Sequence, residues 1–151
     1  MSDQIKTPND LYSAITQWAP SQAGLIALAL VGSHARAAAA PDSDIDLVLI
    51  ARNPQHYLLS PAWVEQFGCT RLTAIEPYGK LTSIRAFYCN GLEVEFGITS
   101  EEWIALPLDA GTERVIQDGL LILFERDACL TRMLQSIGRE QNGPSAQIKA
   151  C

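Results

Sequence analysis

The stretch Leu25–Ala51, LIALALVGSHARAAAAPDSDIDLVLIA, decides how the rest of the chain folds. It opens on a short, continuous apolar run, Leu25 to Val31, bounded by residues that turn easily. The run reads as a buried strand, although periodicity alone leaves a short buried helix open. Gly32 and Ser33 break it, and a small residue at such a corner lets backbone approach a ligand closely. His34 to Ala40, HARAAAA, has the alanine content of a first helical turn whose free N–H groups would face an anion. Pro41-Asp42-Ser43 ends that segment. Asp44 and Asp46 then open a second apolar run, with Ile45 between them and Leu47-Val48-Leu49-Ile50 behind.

In a strand, residues two apart share a face, so both carboxylates would leave one side while Ile45, Leu47 and Leu49 pack the other. Two like charges that close are costly without a cation. A divalent metal with oxygen ligands removes the cost, and magnesium is usually held by one or two carboxylates together with substrate phosphates. Most isolated Asp-x-Asp triplets are strand ends capped by turn-forming residues. The glycine corner a short segment upstream favours a site here.

Gly32-Ser33, ten intervening residues, then Asp44-Ile45-Asp46-Leu47 resembles the signature of the nucleotidyltransferase superfamily that includes DNA polymerase beta. The likeness is greatest to its small bacterial members, the minimal nucleotidyltransferases and the aminoglycoside adenylyltransferases. Their form is Gly-Ser-x-Ala-Arg-Gly followed by Ser-Asp-x-Asp-Leu, and Gly32 to Arg36 and Ser43 to Leu47 match it. The departure is Ala37, which stands where that form usually has glycine.

The resemblance implies transfer of a nucleoside monophosphate from a nucleoside triphosphate, with ATP as the expected donor, to a hydroxyl, releasing pyrophosphate. It implies two Mg2+ ions, with Mn2+ as a substitute, bridged by Asp44 and Asp46. It also implies a third carboxylate on a neighbouring strand, inside an apolar-acid-apolar triplet. Val94-Glu95-Phe96 and Leu92-Glu93-Val94 both fit. Gly32, Ser33, Arg36 and Ser43 form the expected nucleotide-binding set, and Lys80 and Arg85 are further candidate phosphate partners, Arg85 the weaker because the hairpin register turns it from Glu95. His34 reads as a surface residue. The acceptor would be a small molecule or a protein. Two alternatives stand beside this reading: an antitoxin-like adenylyltransferase acting on a partner toxin, and a non-catalytic nucleotide-binding module of the same fold.

Composition sets the frame. The 151 residues suit one domain, and 48% apolar with 19% charged residues describes an ordinary soluble globule. A formal net charge of −6 offers no basic face for a polyanion, so no nucleic-acid partner is expected. There is no charged-then-apolar leader and no apolar run near the ~20 residues of a membrane span, which points to the cytoplasm. Cys69, Cys89, Cys129 and Cys151 have no metal-ligand spacing and read as free thiols.

The rest of the chain supplies the frame of the sheet. Met1 to Thr7 reads as a flexible start, residues 8–138 as the domain, and 139–151 as a flexible tail. Leu11, Ile15 and Trp18 recur at helical spacing over Pro8–Trp18, with Asn9 or Asp10 as cap. Ser60-Pro61 opens a short helix that stops at Gly68. Thr70 to Ile75 is a strand, and Pro77-Tyr78-Gly79 turns. Leu81–Cys89 and Leu92–Ile98 flank Asn90-Gly91, which predicts a hairpin with a two-residue turn. That turn sets Ala86 opposite Glu95 and Tyr88 opposite Glu93, turns Arg85 away, and favours Glu95 over Glu93 because Ala86 leaves room for a metal and substrate. Ser100 opens a short helix, Thr112 to Gln117 another, Gly119 to Phe124 a last strand, and Asp127 caps a helix over Ala128–Ile137. The sum is an α+β fold, a mixed sheet of four or five strands with helices mainly on one face. One substantial C-terminal helix is little to bind an acceptor, so a homodimer or a partner protein would complete that site.

Overall fold

The computed structural model describes residues 5–36 and 43–142. Six strands form one mixed sheet: β1 (Leu25–Val31), β2 (Ile45–Ala51), β3 (Thr70–Tyr78), β4 (Leu81–Tyr88), β5 (Glu93–Thr99) and β6 (Leu120–Glu125). Their spatial order is β3-β4-β5-β2-β1-β6. β2 and β5 run parallel, and every other pair is antiparallel. The α+β class and the mixed sheet are those the sequence implies. The sheet is wider than four or five strands because the Thr70 and Leu120 runs both join it as edges.

All seven residues of β1 are buried, which requires cover on both faces and explains why the run is apolar without alternation. On one face lie α1 (Pro8–Trp18) and a 3-10 segment, Pro61–Phe67. Leu11, Ile15, Val64 and Phe67 there meet Leu28, Leu47 and Leu49. On the other face Trp103, Leu130 and Met133 meet Ala27, Ala29, Val48 and Ile50. These come from the 3-10 turn Glu101–Ile104 and from α4 (Cys129–Asn142), with α3 (Ala110–Asp118) beside them. Helical cover is therefore on both faces, where the sequence predicts mainly one. A short α2 (Gln55–Leu58) follows β2.

Several local expectations are corrected. Thr7 is the cap of α1, its side chain accepting the Asp10 N–H while Asp10 reaches back to the Thr7 N–H, a reciprocal capping box. Ile5, in the described part of that start, is buried against the core. β3 runs three residues past Ile75, and the chain turns at Gly79-Lys80. Asp127 does not cap α4. It has a left-handed backbone, and the Glu125 carboxylate accepts the N–H groups of Leu130 and Thr131 instead.

Cys69 and Cys89, expected as free thiols, are joined by a disulfide with Cα atoms 5.4 Å apart. The Thr70–Tyr88 pairing of β3 with β4 brings them together from 20 residues away in the chain. Cys129 is free. Among the described residues no helix is long and apolar enough to cross a membrane. The Ala37 position, and the rest of the expected turn through Ala40, lie outside the described residues.

Candidate active site

The site is assembled by strand register. The parallel β2–β5 pairing sets Asp46 directly beside Glu95, and the antiparallel β1–β2 pairing sets Val31 on the other side of Asp46. Gly32 then turns the chain with φ +78°. A Cβ at Gly32 would fall 2.5 Å from Asp46 Oδ2, so the carboxylate packs against bare backbone that no other residue would leave open. The N–H groups of Ala35 and Arg36 donate to the Gly32 carbonyl at 3.1 and 3.3 Å, closing a tight turn around Ser33 and His34. His34 does more than sit on the surface. Its Nε2 hydrogen-bonds the Ser43 carbonyl at 3.1 Å, which ties the corner to the residue before Asp44.

The hairpin differs from the two-residue turn in a way that changes the site. Gly91 N–H donates to the Tyr88 carbonyl and Tyr88 N–H to the Leu92 carbonyl, giving a three-residue loop, Cys89-Asn90-Gly91, with Gly91 at φ +97°. Asn90 keeps a negative φ. Its side chain accepts the Leu92 N–H and donates to the Ile5 carbonyl. One extra loop residue moves the register by one, which exchanges the faces of β4 relative to β5. Arg85, not Ala86, is opposite Glu95, and Phe87, not Tyr88, is opposite Glu93.

Arg85 therefore points at the carboxylates instead of away. Its Nη2 donates to Glu95 at 2.7 Å, and its Nη1 donates to Glu93 at 2.5 Å and to Asp44 at 3.4 Å. The structure thus brings together Asp44, Asp46, Glu93, Glu95 and Arg85. Arg36 is exposed and lies against Gly119 at the head of β6, taking no part in these ion pairs. Lys80 is exposed in the turn before β4.

One guanidinium facing four carboxyl groups leaves an excess of negative charge. Burial first, then a hydrogen bond shared with Glu95 and the charges of Glu95 and Asp44, push the Asp46 carboxyl up to about 7, against the pull of Arg85. Asp44 is raised too, by burial first and the Glu93 charge second. The hydrogen bond to Glu93, followed by the charges of Glu95 and Glu93, holds Arg85 above its ordinary value, so it is a permanent cation.

The donor chemistry suits a hard divalent cation, which takes carboxylate oxygen. Among the described residues, however, no group of three or more His, Cys, Asp or Glu side chains is arranged to hold one as it stands. Arg85 pairs with Glu93, Glu95 and Asp44 from within.

A cavity of about 420 Å³ adjoins the cluster on the same sheet face. Asp46 and Glu95 line it, as do the next row of strand residues, Val48, Gly97 and Ser83, with Trp103 and Val115 from the covering segments. Neither this cavity nor the role of Arg85 is read from the sequence. Both follow from a register that local turn chemistry leaves open.

The sheet and the carboxylate row at its glycine corner mark a nucleotidyltransferase-type domain. A family model described as streptomycin adenylyltransferase matches residues 5–90, more than half of the chain, and the chain belongs to that family. The match includes the Gly32 corner, Asp44 and Asp46 and ends before Glu93 and Glu95. Among solved structures, an aminoglycoside 6-adenyltransferase from Bacillus subtilis is similar, with a TM-score of 0.55 and 11% identity over 78% of this chain. The chain spans 41% of that protein's length. No curated protein sequence matches.

Proposed function

We propose that this domain transfers the adenylyl group of ATP to a hydroxyl and releases pyrophosphate. The observation that carries the reading is the pairing of Asp46 with Glu95 on adjacent parallel strands, with Asp44 and Glu93 in the same cluster and Gly32 packed against Asp46. Asp44, Asp46 and Glu95 would hold Mg2+, which when bound neutralises the charge that develops on the transferred phosphoryl group and the leaving pyrophosphate. Backbone N–H groups at Gly32-Ser33 and the Ser33 hydroxyl would hold the triphosphate. Glu95, or Glu93 as the alternative, takes the proton of the attacking hydroxyl. Arg85 already orients both glutamates and is placed to steady an anion that approaches them.

Both the family description and the similar structure name aminoglycoside enzymes, so aminoglycoside hydroxyls head the panel of acceptors to try. A second copy or another protein would supply further acceptor contacts. The test is magnesium-dependent release of pyrophosphate from ATP with a panel of hydroxyl acceptors. Release above the acceptor-free rate, lost in Asp46→Asn, supports the reading. No release with any acceptor overturns it.

A non-catalytic module of the same fold has one observation in its favour: Arg85 satisfies three of the carboxylates by itself. Mg2+ binding separates the two, because a cluster closed by Arg85 takes up no divalent ion at millimolar concentration.

A further inference from the structure

Two of the residues that line the cavity beside Asp46 and Glu95 carry hydroxyls, Ser83 and Tyr78. Ser83 is 1% exposed and its Oγ is sealed, so no substrate reaches it. Tyr78 is 53% exposed. The β3–β4 register sets Tyr78 opposite Leu81, Glu76 opposite Ser83 and Ala74 opposite Arg85. Tyr78 and Glu76 therefore stand on the sheet face that carries Arg85, Glu95 and Asp46.

The Tyr78 ring leans back along β3, and its hydroxyl donates to Glu76 at 2.8 Å. Arg85 and Glu95 both act on that hydroxyl electrostatically. β3 is two strands from β5, a separation of roughly 10 Å, and Arg85 on the strand between them reaches across to Glu95. A phenol hydroxyl thus lies at the rim of the carboxylate cluster, on the side of Glu95, with a carboxylate already hydrogen-bonded to it.

We propose that Tyr78 is itself an acceptor, and that the domain adenylylates this tyrosine of its own chain. The inference rests on the proposed transfer and adds an acceptor of aryl hydroxyl chemistry. The Tyr78 oxygen attacks the α-phosphorus of ATP, the bond from that phosphorus to the oxygen bridging it to the β-phosphate breaks, and pyrophosphate leaves with the electron pair. The phenolic proton passes to the Glu76 carboxylate, and the products are an AMP ester of Tyr78 and pyrophosphate. The hydrogen bond to Glu76 raises the Tyr78 hydroxyl above its ordinary value, so its proton leaves as the new bond forms, to the group in place to take it. Arg85, between Tyr78 and Glu95, faces the phosphate from the acceptor side.

The test incubates the full chain with Mg2+ and ATP and no other acceptor, then reads AMP addition to the denatured chain and its peptides by mass spectrometry. The expected result is one AMP per chain, on the peptide that carries Tyr78, with a rate constant independent of protein concentration. Addition should be absent in Tyr78→Phe and Asp46→Asn and slowed ~10²-fold in Glu76→Gln. Tyr78→Phe should melt like the parent, because it removes only an exposed hydroxyl. The proposal is overturned if the chain takes up no AMP, if AMP enters another residue, if Tyr78→Phe takes up as much as the parent, or if the rate constant rises with protein concentration, which would put the reaction between copies. Pyrophosphate release with a small acceptor from a chain that stays unmodified would sink only this inference. A modified Tyr78 with no release for any small acceptor would leave it standing and confine the failure to the small-molecule acceptors.

Discussion

Arg85 spreads one positive charge over Glu93, Glu95 and Asp44, with about a quarter of its own side chain still exposed. Partial exposure screens such pairs, so Arg85→Gln should cost about 1 kcal/mol by denaturant titration in EDTA. The same variant removes the internal competitor for the carboxylates, so Mg2+ should bind more tightly to it than to the parent by calorimetry. Weaker binding in the variant would mean that Arg85 helps to organise the cation site.

Asp46 carries a pH signature. Its carboxyl is raised in the folded state to about 7 from an ordinary value of 3.8, so between those values the folded protein keeps a proton that the unfolded chain has lost. The stabilisation is complete below the unfolded value and is lost as pH rises through the folded one. Asp44, also raised, acts in the same direction. The metal-free melting temperature should therefore fall from about pH 5 to pH 8, and Asp46→Asn should remove most of that slope. Glu95 is the neighbour of Asp46 by register, whereas Glu93 is one step outside the β2–β5 ladder. Glu95→Gln should cut turnover by ~10²-fold and Glu93→Gln by much less, as measured in single-turnover assays.

At the scale of elements, the β4–β5 hairpin decides the site, and its end is fastened at two points. Cys69 and Cys89 are bonded, the Cys89 N–H also donates to the Cys69 carbonyl at 2.7 Å, and Asn90 donates to the carbonyl of Ile5. Closing a loop of 20 residues should be worth about 3 kcal/mol, so Cys89→Ser should lower the denaturant midpoint in oxidising buffer and change little under reductant. Equal midpoints in oxidising buffer would mean the bond does not form in solution. These contacts also explain what the sequence leaves hidden. β1 and β2 are legible because an uninterrupted apolar run and an acid-apolar-acid opening are local signals. The register of β4 on β5 is not, because Asn90-Gly91 suits both a two-residue turn and the three-residue loop, and the loop that forms is held by contacts distant in sequence, to Cys69 and to Ile5, 85 residues away. Arg85 consequently reads as a residue turned from the site that it in fact anchors.

For the whole molecule, a net charge of −6 and four clustered carboxyl groups set the terms on which ATP can approach. A triphosphate brings more negative charge to Asp44, Asp46, Glu93 and Glu95 than Arg85 offsets, so ATP without a divalent ion should bind weakly. Mg2+ reverses the sign of that interaction, and a ligand that binds the folded state alone stabilises it by mass action, by about 2.7 kcal/mol at a hundredfold excess over its dissociation constant. For a chain of 151 residues this corresponds to a rise in melting temperature of roughly 5–10 °C. ATP alone and Mg2+ alone should each give a small part of it. Asp46→Asn should abolish the metal-dependent part, since that carboxyl sits between the Gly32 corner and Glu95. An unchanged shift in Asp46→Asn would locate ATP away from the carboxylates, and with it the assignment of this sheet face as the nucleotide site would fall.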